Sequence, residues 1–130
     1  MIALLGYLSK GSRKGRSVHE MSLMEGMLRI VEENARAQGY GRVRTVILEI
    51  GKLAGVEVEA LRFAFEAVTD GSIAAGATLE IEEPQGLGWC VECEKESPVE
   101  TRYDPCPLCG KVPLNITGGT QMRVKALDVE

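Results

Sequence analysis

The chain contains one histidine, His19, and has no cysteine outside two CxxC pairs. No serine or cysteine stands near His19 in a recognisable nucleophile motif, so the usual pairing of nucleophile and base is absent. A phosphate-binding loop is also missing, because Gly51-Lys52 lacks both the upstream glycine and the following serine or threonine of a P-loop. The sequence therefore favours a binding protein over an enzyme.

Long hydrophobic runs and a surplus of basic charge are missing as well. No apolar run approaches the roughly 20 residues of a membrane span, so we expect no membrane partner. Four of the 15 Lys and Arg residues, and none of the 19 Asp and Glu residues, lie within positions 1–17. The rest of the chain is therefore more acidic than the net charge of −4 suggests, which argues against nucleic-acid binding.

The four cysteines form one pattern, Cys90 with Cys93 and Cys106 with Cys109. Two CxxC turns at this spacing are typical of a structural zinc site, in which four thiolates close a tetrahedron around the ion. A pair of disulfides, redox-active thiols and a rubredoxin-like iron site are the alternatives. We predict zinc, and the paired thiols also suit a reducing compartment, which predicts a cytoplasmic protein.

Outside the cysteine segment, apolar periodicity predicts two helices and three strands. Ser22 and Glu25 match the S-x-x-E capping box, which predicts a helix from that point to about Gln38. The second helix is predicted over 57–69. The strands are predicted over 42–50, 78–83 and 120–129. This order predicts an α+β fold with two helices on a three-stranded mixed sheet and an inserted four-cysteine zinc ribbon.

The same patterns divide the chain into three parts. Residues 18–88 and 118–130 are predicted to form the α+β domain, and residues 89–117 the zinc-ribbon domain. The ribbon segment has little apolar periodicity, so it needs a metal ion to fold. Residues 1–17 are predicted to be a flexible leader, with a membrane-surface anchor as a weaker interpretation.

His19 lies just ahead of the first predicted helix, and Glu20 follows it directly. A lone histidine is usually solvated or caps a helix. Glu57 begins the second predicted helix, however, so an imidazole and two carboxylates could meet at one end of the domain. Such a donor set suits a borderline divalent metal such as Ni(II), Cu(II) or Zn(II).

Several blocks of sequence carry a family resemblance that spans the chain from Val18 to Glu130. The opening block, Val18-His19-Glu20-Met21-Ser22-Leu23, is similar to a Met-His-Glu-Met-Ser-Leu start. The other blocks are the two CxxC pairs, Leu48-Glu49-Ile50-Gly51, Phe63-Ala64-Phe65-Glu66-Ala67-Val68-Thr69, Thr117-Gly118-Gly119-Thr120 and Met122-Arg123-Val124. Together they resemble the HypA/HybF family of nickel chaperones for [NiFe]-hydrogenase maturation.

The resemblance implies a nickel metallochaperone that delivers Ni(II) to the large subunit of [NiFe]-hydrogenase and works with a HypB-type GTPase. It implies a monomer or weak dimer with no catalytic turnover. The nickel ligands of the family map onto Val18, His19, Glu20 and Glu57. The alternative is a zinc-ribbon module that binds proteins or nucleic acid and has no nickel function.

The chain departs from the family pattern at two of these positions. Val18 has 17 residues ahead of it and so offers no free amine, and Glu57 is one methylene longer than the aspartate that can occupy the matching position. A GTG start codon is read as valine when it is internal. We therefore expect residues 1–17 to be either a flexible appendage or a mis-assigned start, with a working chain that begins at position 18.

Overall fold

We describe the fold from a computed structural model, which covers residues 2–8, 18–111 and 113–130. The helices are α1 (Val18–Gln38) and α2 (Val58–Thr69). The strands are β1 (Ile2–Tyr7), β2 (Val43–Ile50), β3 (Thr78–Glu82), β4 (Gly86–Cys90), β5 (Lys95–Val99), β6 (Asn115–Gly118) and β7 (Met122–Val129). Within the described residues, neither helix combines the length and the apolarity that a membrane crossing needs.

The larger sheet has the strand order β1-β7-β2-β3. Strands β2 and β3 are parallel, because α2 carries the chain back across the sheet between them, whereas β7 is antiparallel to both β1 and β2. The prediction of two helices on a mixed sheet with an inserted four-cysteine ribbon is therefore confirmed. The predicted strands β2, β3 and β7 form the sheet, and a fourth strand adds to its edge.

The fourth strand, β1, corrects the prediction of a flexible leader for residues 2–7. Ile2 pairs with Leu127 and Gly6 with Val124, and the Leu8 amide donates a 2.7 Å hydrogen bond to the Met122 carbonyl. The apolar start of the chain thereby covers an edge of the sheet that would otherwise present unpaired backbone groups. The rest of the predicted leader, residue 1 and residues 9–17, lies outside the described residues.

Helix α1 also differs from its prediction, because it begins one turn earlier, at Val18. Ser22 and Glu25 therefore lie inside the helix, and the predicted start at a capping box is wrong. Glutamate and methionine favour helix, so Glu20 and Met21 extend it towards the chain start. The buried apolar side of the helix consists of Leu23, Met24, Met27, Val31 and Ala35.

The described residues form two hydrophobic clusters. The larger one lies between the two helices and the four-stranded sheet, and includes Phe65, Leu48 and Leu127. The smaller one lies inside the ribbon, whose three strands have the order β5-β4-β6. The ribbon sheet begins at Gly86 and ends at Gly118, so it is slightly wider than the predicted range of 89–117.

The loop that follows β2 joins the two clusters. Its amides at Gly51, Lys52 and Leu53 donate to the carbonyls of Gln121, Pro84 and Gly119 over 2.7–2.9 Å. These three acceptors lie on the two segments that lead into and out of the ribbon. A side chain on residue 51 would place its Cβ 2.0 Å from the Gly119 carbonyl oxygen, so only glycine fits there. The backbones at this junction are packed against one another without intervening side chains.

We expect Gly51→Ala to lower the free energy of unfolding by about 1–3 kcal/mol, because the added methyl group overlaps backbone that cannot move aside freely. Gly26→Ala is the control, since a Cβ there meets no heavy atom within 4 Å and the position is helical. We expect Gly26→Ala to raise the free energy of unfolding by roughly 0.5–1 kcal/mol. Denaturant unfolding of the three proteins measures both effects, and equal stability of the parent and Gly51→Ala would contradict the close approach.

Candidate metal centres

The four cysteines converge at the end of the ribbon. Cys90 is the last residue of β4, and Cys93 lies in the turn before β5. The sulfur of Cys90 lies 3.8 Å from that of Cys109, and the sulfur of Cys93 lies 4.0 Å from that of Cys106. All four sulfurs lie within 4.8 Å of one another. Among the described side chains, this is the one group of three or more potential ligands close enough to share an ion.

The sulfur separations fit a shared metal ion and do not fit disulfides. A disulfide bond is about 2.05 Å long, far shorter than any of these contacts. Four sulfurs placed about 2.3 Å from one tetrahedral ion are about 3.8 Å apart, which is close to the separations observed. All four thiols are free, and Cys90 and Cys106 are buried within the ribbon cluster. The arrangement can therefore close around a tetrahedral metal without rearrangement.

The two CxxC turns have the same backbone form. The amide of the residue after each pair donates a 2.8 Å hydrogen bond to the carbonyl of the first cysteine, Glu94 to Cys90 and Gly110 to Cys106. Both donor residues adopt a positive φ, 54° at Glu94 and 64° at Gly110. Glycine reaches this conformation without steric cost, whereas an L side chain does not. The first turn is thus strained and the second is not.

Two of the thiols, those of Cys106 and Cys93, have pKa values shifted in opposite directions when no metal is bound. Hydrogen bonds from the backbone of Cys109 and, after it, of Leu108 lower the pKa of Cys106 to about 7, against the opposing effect of burial. Burial and hydrogen bonds with the other three sulfurs raise the pKa of Cys93 to about 12. A metal ion binds thiolates, so its binding releases the remaining protons. Metal affinity at this site therefore falls as the pH is lowered.

We expect substitutions at the two positive-φ positions to have opposite effects. Gly110→Ala should destabilise the metal-loaded ribbon by about 1–2 kcal/mol, because it adds a Cβ to a left-handed residue. Glu94→Gly should raise its stability by up to about 1 kcal/mol, because it relieves that strain. Denaturant unfolding followed by the fluorescence of Trp89, the one tryptophan of the chain, measures both. The same sign of change in both variants would contradict the assignment of strain.

A second candidate centre lies where α1 and α2 begin. The Glu20 side chain is only 7% exposed, and its Oε2 accepts a 3.1 Å hydrogen bond from the Glu57 amide. The Glu57 side chain is exposed. Val18 and His19 belong to the first turn of α1, and their side chains lie outside the described part of the structure. The structure thus brings Glu20 and Glu57 together beside the turn that carries His19.

Two residues of the junction between the modules were missed by the sequence analysis. Leu53 leaves the α+β domain and packs into the ribbon cluster with Cys90 and Cys106. Arg102 donates a 3.2 Å hydrogen bond from the ribbon to the Leu53 carbonyl. The only sign of this contact in the sequence is that Leu53 is an isolated leucine in a glycine-rich loop. That pattern does not identify the residues against which Leu53 packs.

The fold and the sulfur cluster define a two-module metal-binding protein, an α+β domain that carries a four-cysteine ribbon. Residues 18–129 match the family described as "Hydrogenase/urease nickel incorporation, metallochaperone, hypA", and the chain belongs to this family.

Curated relatives are similar over the same length of chain. Hydrogenase maturation factor HypA of Dechloromonas aromatica is 52% identical over 113 residues, which are 87% of this chain and 100% of the relative. The protein of that name from Azotobacter chroococcum is 54% identical with the same coverage.

Two solution structures share the fold. A structure described as HypA protein has a TM-score of 0.64 and 26% identity, and the match covers 89% of this chain and 98% of the other. The structure of the Ni metallochaperone HypA from Helicobacter pylori has a TM-score of 0.61 and 23% identity, over 85% of this chain and 96% of the other. At this identity, the second comparison supports the fold alone.

Proposed function

We propose that this protein binds Ni(II) as cargo and delivers it to the large subunit of a [NiFe]-hydrogenase, with a HypB-type GTPase as partner. The observation that carries the proposal is the match of residues 18–129 to a nickel-incorporation family. In this role the protein binds and transfers a metal and has no turnover of its own. Its four free thiols suit the reducing conditions of the cytoplasm, where we place it.

We assign the cargo site to the start of α1, where Val18, His19, Glu20 and Glu57 together form it. The 3.1 Å contact between Glu20 and the Glu57 amide supports this assignment, because it joins residues far apart in sequence at one place. The exposed Glu57 carboxylate supports it further, since a cargo ion has to enter and leave. Imidazole, amide nitrogen and carboxylate are donors that suit Ni(II).

We assign the sulfur cluster to one structural Zn²⁺ ion held by Cys90, Cys93, Cys106 and Cys109. The sulfur separations near 3.8 Å support a tetrahedral ion, and two of the four sulfurs are buried. Four protein ligands complete the tetrahedral coordination and leave no open position at which a ligand from another protein could bind. We therefore assign this ion a structural role and not the role of transferred cargo. The ribbon cluster contains few apolar residues, and the ion would supply the stability that the small core does not.

We expect the purified protein to contain one zinc per chain and Cys109→Ser to lose most of it. The serine oxygen is a poorer zinc ligand than a thiolate, so the ribbon should unfold more easily while α1 and α2 stay folded. Elemental analysis gives the metal content, and circular dichroism reports the helices. Iron in place of zinc would favour the rubredoxin-like alternative, and oxidised thiols without metal would favour disulfides.

We expect the zinc-loaded protein to bind about one further equivalent of Ni(II), and His19→Ala to bind it at least about tenfold more weakly, or about 1.4 kcal/mol. Isothermal titration measures the affinity. Glu25→Gln is the matched control, because Glu25 is an exposed carboxylate on the same helix and should not change it. A parent protein that takes up no second metal, or a His19→Ala variant that binds equally well, would favour the interaction module without nickel function.

The same titration on a chain that begins Met-His19-Glu20 tests the role of the amine. A free amine is a far better nickel donor than a peptide amide near neutral pH, and the shortened chain also lacks the four positive charges of residues 1–17. We therefore expect it to bind Ni(II) more tightly than the full chain. Equal affinity with the same dependence on His19 would show that the amine has no part in the site.

A further inference from the structure

The Glu20 carboxylate, which belongs to α1, accepts a hydrogen bond from the residue at which the second helix begins. Helix α2 begins after Glu57, whose carbonyl accepts a 3.0 Å hydrogen bond from the Leu61 amide. The Glu57 side chain makes no capping hydrogen bond of its own. Its amide donates instead to Oε2 of Glu20 on α1, at 3.1 Å. A residue 37 positions earlier in the chain therefore anchors the start of α2.

This hydrogen bond stabilises both of its partners. A carboxylate that is 7% exposed is costly to bury without a donor, and the Glu57 amide supplies one. A carboxylate at a helix N-terminus is also favoured by the unpaired amides and the helix dipole. The bond is charge-assisted, which makes it stronger than a bond between neutral groups. Glu20 thus links the first turn of α1 to the first residue of α2.

The two carboxylates at this place have different surroundings. Glu20 is 7% exposed and Oε2 of its carboxylate accepts the hydrogen bond of the Glu57 amide, whereas Glu57 is exposed. The loop between β2 and α2 is anchored to the ribbon connections at its start, through Gly51 and Leu53. At its other end, Glu20 holds it beside the turn that carries His19. The direction of the Glu57 side chain therefore depends on where Glu20 holds its backbone.

We propose that the Glu20 carboxylate is a positioning group and not a nickel ligand: it fixes the Glu57 backbone so that the Glu57 carboxylate faces the first turn of α1. The proposal deepens the proposed nickel function and rests on it. It divides the two glutamates assigned to the cargo site into one whose carboxylate binds the metal, Glu57, and one whose carboxylate orients it, Glu20.

Two substitutions of Glu20 separate a positioning role from ligation. Glu20→Gln keeps an oxygen acceptor at the same reach but removes the negative charge that makes a carboxylate a far better nickel donor than an amide oxygen, whereas Glu20→Ala removes the acceptor. We expect the nickel affinity of zinc-loaded Glu20→Gln to lie within about threefold of the parent, and that of Glu20→Ala to fall at least about tenfold. Glu57→Gln should lose affinity as Glu20→Ala does, because it removes a ligand directly. Glu25→Gln should bind as the parent does.

Amide hydrogen exchange at Glu57 in the nickel-free protein is the second measurement. Protection of this amide should persist in Glu20→Gln and in Glu57→Gln and should be lost in Glu20→Ala, because only the last variant lacks the acceptor. Loss of nickel in Glu57→Gln with protection retained is the signature of a ligand. Loss of both in Glu20→Ala, with recovery of both in Glu20→Gln, is the signature of a positioning group.

The outcomes that overturn the proposal differ from those that overturn the proposed function. If Glu20→Gln loses nickel as severely as Glu20→Ala while Glu57 stays protected, the Glu20 carboxylate is a ligand. If the parent binds no nickel, the nickel function fails, and the claim that Glu20 fixes the Glu57 backbone is decided by hydrogen exchange alone. Should Glu20→Ala not fold, Glu20→Asp replaces it, since the shorter side chain keeps the charge but withdraws the acceptor. Tight nickel binding by Glu20→Asp with an unprotected Glu57 amide would overturn the proposal.

Discussion

The close approach of the loop after β2 to the two connections of the ribbon is the constraint on which the rest of the structure depends. Gly51 leaves room for the Gly119 carbonyl, and the loop amides that follow bind both the incoming and the outgoing segment. The Leu53 side chain, in the same loop, packs into the ribbon cluster, and Arg102 of the ribbon donates a hydrogen bond to the Leu53 carbonyl. The ribbon is thereby held by backbone hydrogen bonds, a buried side chain and a cross-module side-chain contact, and not by its two connections alone.

The same loop reaches both candidate metal centres. At one end Leu53 packs beside the buried sulfurs, and four residues later Glu57 donates to Glu20 at the start of α1. The surroundings of the two centres differ in ways that suit the proposed roles. The sulfur cluster offers four ligands within 4.8 Å, from cysteines of which two are buried, which suits an ion that stays. The end of α1 offers an exposed carboxylate, which suits an ion that leaves.

Strand β1 lies outside the residues matched to the family, which begin at position 18. The sheet of the matched residues consists of β2, β3 and β7, the three strands that the sequence predicts, and residues 2–7 add to the free edge of β7. A mostly apolar strand covers backbone groups at that edge, and Leu8 is buried where the strand ends. Any role of residues 1–17 at the nickel site therefore has to be separated from the contribution of residues 2–7 to the sheet.

The sequence alone determined the four metal-binding cysteines, the apolar side of α1 and the mixed α+β order, because each depends on short spacings along the chain. Two CxxC turns or a helical stripe can be recognised within a few residues. The tertiary structure decided what depends on distant pairing: the Glu20 bond to the Glu57 amide, the contact of Gly51 with Gly119, and the pairing of β1 with β7. The tertiary structure also shows that α1 begins at Val18, one turn before the capping box of Ser22 and Glu25. Local patterns carry no information on which distant backbone group will lie against them. The sequence could therefore identify Glu20 as a candidate ligand because it follows His19. Its hydrogen bond to the start of the second helix is visible only in the folded chain.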